Sequence, residues 1–258
     1  MRSIKILVAL LALSLFAAAC GGDDDTGEFG LVSADTLTVC TDVPYPPMEF
    51  EDPNSPGGYT GFDIELMRAI ATDLGLELAV ATPGWDAITS GLAMEAGNCD
   101  ISAASITITD EREENVDFSD SYFSAEQSLL VESASGFGSI AEVGAVAVQS
   151  GTTGELYAQD NLPPGVELIS FEAAGDLYLA LAAGEAGGVI TDLVGNQGYV
   201  DDNPGVASVI ETYATDEQYG FAVQEEGSEA LLVAVNASLA KLRSDGSYDD
   251  LFDIWFSG

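Results

Sequence analysis

Short apolar runs alternate with helical patterns along most of the chain, and this alternation is what limits its fold most strongly. The first run, residues 37–41, precedes a segment with one apolar face. That face consists of Ile64, Met67, Ala71 and Leu74, which are spaced by three and four residues. Because strands that alternate with helices form helix-covered parallel sheets, the sequence predicts an α/β fold with mostly parallel sheets.

The same two patterns predict strands and helices along the rest of the chain. The predicted strands cover residues 37–41, 76–80, 100–104, 145–148, 167–170, 188–191, 207–210 and 220–223. The predicted helices cover residues 63–74, 85–94, about 154–161, 177–183, 193–200, 228–243 and 248–256. Two prolines make residues 45–49 a loop, and residues 51–58 have the composition of a turn. A second series of strands and helices begins near Leu129.

Residues 1–19 have the features of a signal peptide, because a basic start precedes a short apolar segment, residues 6–16. Residues 17–20 are similar to the lipobox of bacterial lipoproteins, in which Cys20 is acylated. The alternative is ordinary cleavage after an Ala-x-Ala site. We expect residues 20–34 to form a flexible acidic tether. No later segment predicts a membrane-spanning helix, so we expect an extracytoplasmic, cell-envelope lipoprotein that contacts the membrane only through its anchor.

The chain has 44 acidic and 6 basic residues, a net charge of −38. Two of the basic residues lie in the leader, and the others are Arg68, Arg112, Lys241 and Arg243. Such a balance makes nucleic acid and anionic membrane surfaces poor partners, since both require basic patches. It indicates either a high-salt habitat, where repulsion is screened, or an acidic lineage without a salt requirement. The chain has no histidine, which excludes a Ser-His triad and argues against zinc catalysis, so we expect no metal and no cofactor.

Two cysteines besides Cys20 are present, Cys40 and Cys99. Outside the cytoplasm such a pair favours a disulfide. However, the predicted strand ends place the two residues about three positions out of register, ~10 Å along the strand. That distance is too long for an undistorted disulfide. The sequence therefore leaves a disulfide and two separate thiols as alternatives.

Residues 61–71 resemble the signature of the polar amino-acid-binding proteins of bacterial ABC importers, the extracellular solute-binding proteins of family 3. Further family-like segments occur in family order, at residues 41–47, 84–86, 105–112, 116–119, 149–153 and 191–192. The resemblance covers roughly residues 33–258. It implies a monomer with two α/β lobes, joined by two crossings, that close on a free L-amino acid. An ABC permease and its ATPase would receive that ligand. The expected lobes are residues 35–126 with 219–258, and residues 127–218.

The segment 105–112, Ser-Ile-Thr-Ile-Thr-Asp-Glu-Arg, contains groups that suit the carboxylate of an amino acid. Arg112 offers a planar fork of donors, and Ser105 and Thr107 add hydroxyls at a strand end. The resemblance implies that Arg112 binds the ligand carboxylate together with Thr152 and Thr153, at the start of a helix of the second lobe. The alternatives are a surface Arg112 paired with Glu111 or Glu114, and an ordinary helix cap at the two threonines.

The resemblance assigns the ligand ammonium to Asp192, with help from Ser105. The alternative for Asp192 is a helix N-cap. Four further residues are expected around the ligand side chain, namely Asp42, Tyr45, Glu49 and Trp85. Trp85 could instead be core packing, and Glu49 could face solvent.

Residues 128–217 contain no lysine or arginine, so the second lobe cannot pair with an acidic ligand side chain. Two acids and two aromatic rings suit a cation. The sequence therefore favours arginine, lysine, ornithine or histidine as ligand, with glutamine-like neutral amino acids as the alternative. Two other functions stay open, a ligand-sensing subunit of a receptor and a same-fold dehydratase that uses Glu49 as general acid. We expect a binding protein rather than an enzyme.

Overall fold

The computed structural model describes residues 29–257, so the leader, Cys20 and much of the predicted tether lie outside the described residues. The strands are β1 Thr36–Cys40, β2 Phe50–Glu51, β3 Tyr59–Thr60, β4 Glu77–Ala81, β5 Ile101–Ser102, β6 Val116–Phe118, β7 Phe123–Glu132, β8 Ala145–Gln149, β9 Glu167–Phe171, β10 Gly188–Asp192, β11 Ala207–Tyr219 and β12 Ala222–Gln224. The helices are α1 Phe62–Asp73, α2 Trp85–Thr89, α3 Leu92–Glu95, α4 Thr153–Asn161, α5 Ala174–Ala183, α6 Leu193–Asp202, α7 Glu229–Asp245 and α8 Ser247–Phe256.

Two five-stranded sheets form the centres of two lobes. The sheet of lobe 1 has the order β4-β1-β5-β12-β6, and the sheet of lobe 2 has the order β11-β7-β10-β8-β9. The chain passes between the sheets twice, from β6 to β7 and from β11 to β12. The two-lobed α/β fold predicted from the sequence is thereby confirmed.

Each sheet is mixed, where the sequence predicted mostly parallel pairing. In lobe 1, β1 pairs in parallel with β4 and β5, but β12 is antiparallel to β5 and β6. In lobe 2, β8 is parallel to β9 and β10, but β7 is antiparallel to β10 and β11. The antiparallel strands flank the two passages between lobes. A chain that leaves one lobe and returns to it enters the sheet from the opposite end.

The start of α1 is fixed against the loop that follows β1. Gly61 has φ 119°, and a Cβ there would lie 2.2 Å from the Met48 carbonyl oxygen, so only glycine fits. The N–H groups of Phe62 and Asp63 donate to the carbonyls of Pro47 and Met48, each at 2.9 Å. The first turn of α1 therefore lies directly behind residues 47–49.

The observed elements depart from the predicted ones at four points. The helix expected over residues 85–94 is two short helices, because Gly91 has φ 76° and a Cβ there would lie 3.0–3.1 Å from Val116 and Asn115. A small hairpin, β2 with β3, encloses the expected turn. Strands β6 and β7 were not predicted, and β11 extends far beyond residues 207–210 because its polar remainder, at the edge of the sheet, pairs with β7.

Cys40 and Cys99 form a disulfide with a Cα–Cα distance of 5.6 Å. Cys40 lies opposite Ser102, so the offset of three residues expected from the sequence is present. The ~10 Å separation inferred from that offset is wrong, because Cys99 precedes β5 and does not continue the strand. The chain turns there and brings Cys99 back to the edge of β1.

No helix within residues 29–257 combines the length and the apolar character needed to cross a bilayer.

Replacing both Cys40 and Cys99 by alanine is expected to lower the free energy of unfolding by about 2–4 kcal/mol, because the bridge closes a long loop. The two residues are 59 positions apart in the chain. Guanidinium unfolding of the variant measures this loss. Reductant should destabilise the unchanged protein by a similar amount and leave the variant unaffected. Equal stability of both proteins under oxidising conditions would contradict the prediction.

Candidate functional site

A cavity lies between the two lobes, at the carboxyl ends of strands from both sheets, and its empty space, including the part open to solvent, is about 400 Å³. In α/β folds this edge is where ligands usually bind. The lining residues are Asp42, Tyr45, Glu49, Trp85, Ala104, Ser105, Thr107, Arg112, Gln149, Thr152, Thr153, Ala174, Thr191 and Asp192. Every ligand-contact residue predicted from the sequence is among them. The structure thus brings the predicted residues together around one cavity, while their individual roles toward a ligand stay predictions.

Arg112 is a buried cation held by neutral partners. Its side chain is 8% exposed, and its guanidinium donates to the Thr107 carbonyl at 2.8 Å and to the Gly151 carbonyl at 3.2 Å. Its central carbon lies 5.1 Å from the centre of the Trp85 ring. Burial lowers the pKa of Arg112, and the nearby Asp192 and Glu217 carboxylates oppose that effect. Within residues 29–257 no carboxylate forms a salt bridge with it, so the surface pair with Glu111 or Glu114 is absent.

The turn after β5 places Ser105 and Thr107 beside Arg112. Ser105 has φ 52°, an uncommon conformation for a residue with a side chain. Its N–H donates to Asp63 Oδ2 at 2.8 Å, and its hydroxyl donates to Glu49 Oε2 at 3.3 Å. These two contacts hold the turn in place at the floor of the cavity.

In lobe 2 the corresponding turn precedes α4. The Thr152 hydroxyl accepts from the Glu155 N–H at 3.1 Å and donates to the Gln149 carbonyl at 2.8 Å. Thr152 is therefore the helix cap that the sequence left as an alternative, and it lines the cavity as well. The start of α4 directs backbone N–H groups and partial positive charge toward this side of the cavity, which suits an anion.

Asp192 ends β10 and does not cap α6 with its side chain. Its carboxylate accepts hydrogen bonds from Gln127 Nε2 and the Tyr219 hydroxyl. Burial, together with the Glu217 carboxylate, raises the pKa of Asp192 to about 7. The helix-cap alternative for its side chain is therefore wrong, and the carboxylate lies at the cavity instead.

Sequence reasoning missed a polar network behind these residues. Glu217, near the second passage between lobes, accepts from the Thr107 hydroxyl at 2.9 Å and the Thr153 hydroxyl at 2.7 Å. Gln127, near the first passage, donates to Glu217 at 3.1 Å and also reaches Asp192. These residues are far apart in the chain, and no spacing in the sequence connects them.

The lining of the cavity also contains two aromatic rings and two further acids. Tyr45 is 8% exposed and Trp85 is 9% exposed, and both line the cavity. Glu49 is 1% exposed, so the solvent-facing alternative for this residue is wrong. Asp42 is half-buried and accepts from Gln149 Nε2 at 2.7 Å. Burial raises the pKa of both carboxyl groups, and for Glu49 the nearby Asp63 adds to the effect.

Direct contacts join the two lobes around the cavity. The Trp85 indole donates to the Gly151 carbonyl at 3.1 Å, and the Tyr45 hydroxyl lies 3.3 Å from Thr191 Oγ1. Gly195 of α6 faces the Tyr45 ring so closely that a Cβ would lie 2.5 Å from ring atoms. The lobes are therefore closed on each other, and the residues of one lobe complete the wall formed by the other.

Comparisons with known proteins agree with this architecture. A sequence model of the bacterial extracellular solute-binding proteins, family 3, matches residues 37–258. The ABC transporter glutamine-binding protein GlnH of Bacillus subtilis (strain 168) is 34% identical over 271 residues, covering 98% of this chain and 97% of that protein. A probable histidine-binding protein of Neisseria gonorrhoeae is 31% identical over 269 residues, covering 100% of this chain and 97% of that protein. The solved structure of an ancestral arginine-binding protein bound to glutamine has a TM-score of 0.78 at 34% identity, covering 88% of this chain and 100% of that one.

Proposed function

The chain belongs to the bacterial extracellular solute-binding proteins of family 3, and we propose that it is the receptor through which an ABC importer takes up a free basic amino acid. The observation that carries this proposal is the charge of the cavity. Its lining contains one cation, Arg112, and three carboxylates, Asp42, Glu49 and Asp192. A free amino acid brings one carboxylate and one ammonium, which leaves two acids for a cationic side chain.

Arg112 takes the ligand carboxylate, since only two of its five N–H donors are used by partners within residues 29–257. Ser105 and Thr107 add hydrogen bonds from lobe 1, and the turn at Thr152 and Thr153 adds the start of a helix from lobe 2. A carboxylate bound there touches both lobes, so its binding energy favours the closed arrangement.

Asp192 takes the ligand ammonium, with the Ser105 hydroxyl as a further partner. The side chain then lies between Tyr45 and Trp85 and reaches toward Asp42 and Glu49. Arginine, lysine, ornithine and histidine fit this arrangement through ion pairing and cation–π contact. A glutamate or aspartate side chain would bury a second carboxylate with no cation left to pair with it.

The names of the relatives support this range of ligands. One relative is named for glutamine and another for histidine, and an arginine-binding protein holds glutamine in its structure. Glutamine is therefore the second candidate ligand, favoured by the identity to the glutamine-binding protein. Each of these proteins is named for binding and not for a reaction, which supports a receptor that returns its ligand unchanged.

The receptor works outside the cytoplasm, as an extracellular family implies. It delivers its ligand as a monomer to a permease and its ATPase, and Cys20 tethers it to the membrane through lipid. Its lobes are residues 35–126 with 219–258, and residues 127–218. Strands β7 and β11 pair over residues 123–125 and 217–219, where the chain passes between lobes, which supports boundaries close to these residues.

The proposal is tested by thermal unfolding of residues 21–258 with each of the twenty amino acids, ornithine and citrulline. The protein is first unfolded and refolded to remove any co-purified ligand. A ligand that binds only the folded state raises the unfolding midpoint, so arginine, lysine, ornithine or histidine should do so. Mass spectrometry should recover the added amino acid unchanged. A rise with glutamine alone would keep the receptor and reject the basic ligand, and no rise with any compound would reject the receptor.

Arg112→Ala is expected to weaken arginine binding on the order of a hundredfold or more, because the ligand carboxylate would lose its buried partner. Isothermal titration calorimetry measures the change. Arg68→Ala is the matched control, since Arg68 pairs with Glu65 away from the cavity and the charge change is the same. Arginine affinity that is equal in the two variants would contradict the role of Arg112.

Gly195→Ala is expected to weaken arginine binding at least about tenfold, because the new methyl group would strike the Tyr45 ring when the lobes close. Alanine favours a helix over glycine, so the unfolding midpoint without ligand should not fall. Gly138→Ala serves as control, since a methyl group there meets only a flexible side chain at 4.0 Å. Unchanged affinity in Gly195→Ala would show that the contact between Tyr45 and α6 is not needed for binding.

A further inference from the structure

Ser105 lies between two buried carboxylates that approach it from different elements. Its N–H donates to Asp63 Oδ2 at 2.8 Å, and its hydroxyl donates to Glu49 Oε2 at 3.3 Å. Glu49 comes from the loop after β1, and Asp63 comes from the first turn of α1, which Gly61 fixes behind that loop. The course of the backbone therefore brings the two carboxyl groups close together.

Neither carboxylate has a cation as partner within residues 29–257. Asp63 is 0% exposed and Glu49 is 1% exposed, and neither belongs to a salt bridge. Asp63 Oδ2 also accepts from the Tyr122 hydroxyl at 2.7 Å, but Asp63 Oδ1 is buried without a partner. Two adjacent buried carboxylates without a cation do not both stay ionised, because desolvation and mutual repulsion both favour a proton.

We infer that Glu49 and Asp63 share one proton before the ligand binds, and that a cationic ligand side chain displaces it. The inference rests on the proposed function and adds a regulation of the same site. Glu49 lines the cavity and would meet the cation directly, whereas Asp63 does not line it and acts through Glu49 as a positioning residue. The displaced proton passes to the buffer, and the ligand cation then neutralises the charge that it leaves.

The hydrogen bonds indicate that Glu49 keeps the proton and that Asp63 is the charged member of the pair. Asp63 accepts from two donors and sits in the first turn of a helix, where a negative charge is favoured, whereas Glu49 accepts from one donor. Burial raises the pKa of Asp63 to about 7, while burial and the Asp63 charge raise that of Glu49 well above its usual range. The other titratable groups that face the pair are Asp42, Tyr45, Tyr122, Asp192 and Tyr248, and none is a cation.

The shared proton makes selectivity depend on pH. Every amino acid brings an ammonium to Asp192, whose pKa is about 7, so Asp192 releases the same number of protons to the buffer whichever amino acid binds. Only a cationic side chain also removes the proton of the Glu49 and Asp63 pair. Arginine should therefore release more protons than glutamine, by up to about one. Its affinity should rise relative to that of glutamine by up to about tenfold per pH unit, within the range where the pair is protonated.

Calorimetric titration of the wild-type protein with arginine and with glutamine, in buffers of different ionisation enthalpy, counts the released protons. Infrared spectroscopy of the ligand-free protein at pH 8, above the pKa of about 7 of Asp63 and Asp192, detects the neutral carboxylic acid of Glu49 directly. We expect a C=O stretching band that Glu49→Gln removes, and an excess of released protons with arginine that the same variant abolishes. Asp42→Asn is the matched control, since it removes a neighbouring carboxylate and should weaken arginine binding while keeping both the band and the excess.

Tyr122→Phe provides a second check, because it removes a hydrogen bond that stabilises the Asp63 anion. The pair should then hold its proton to higher pH, so the pH range over which arginine affinity rises should shift to higher values. Absence of the carboxylic acid band would overturn the shared proton. Equal proton release with both ligands would overturn its displacement by a cation. If neither ligand binds, the proposed function fails, and the infrared band still decides whether the pair holds a proton.

Discussion

The carbonyl oxygen of Gly151 is the point on which the closed arrangement depends. It accepts hydrogen bonds from the Trp85 indole at 3.1 Å and from the Arg112 guanidinium at 3.2 Å, both from the opposite lobe. Gly151 has φ 71°, and a Cβ there would lie 3.4 Å from the Trp85 nitrogen. The Thr107 carbonyl, which belongs to the same lobe as Arg112, also accepts from the guanidinium, so this contact orients the cation before the lobes close on a ligand and lowers the entropy lost on binding.

The elements that the sequence predicted are those whose burial is regular. Helix α1 and strands β1, β8 and β10 lie within a few residues of their predicted ranges, because one buried face or one buried run dominates each of them. Strand β11 was predicted only in its first residues, since its polar remainder gains its structure from pairing with β7. The break at Gly91 depends on contact with a segment some 25 residues later in the chain, and the spacing of apolar residues in the sequence does not show such a contact.

The residues of the site also fall into those that the sequence predicted and those that it missed. Asp192, at the end of β10, and Arg112, in the segment between β5 and β6, were identified because a strand pattern and a family resemblance fix their places in the chain. The residues that support them were missed, since Thr107 and Glu217 are 110 positions apart and meet only where both lobes and a passage between them converge. The disulfide shows the converse error. The register was right, but a turn before β5 removed Cys99 from the strand to which the distance argument applied.

Salt acts in two directions on a chain with a net charge of −38. Screening relieves repulsion between surface acids, but it also weakens the attraction that draws a cationic ligand toward the protein. The contacts at Glu49, Asp63 and Arg112 are buried and are screened far less. Salt therefore affects mainly the rate at which a basic amino acid is captured, while selectivity stays with the buried charges. The acidic surface and the preference for cationic ligands are therefore separate properties of the protein. Only the preference for cationic ligands depends on the proton that Glu49 and Asp63 hold.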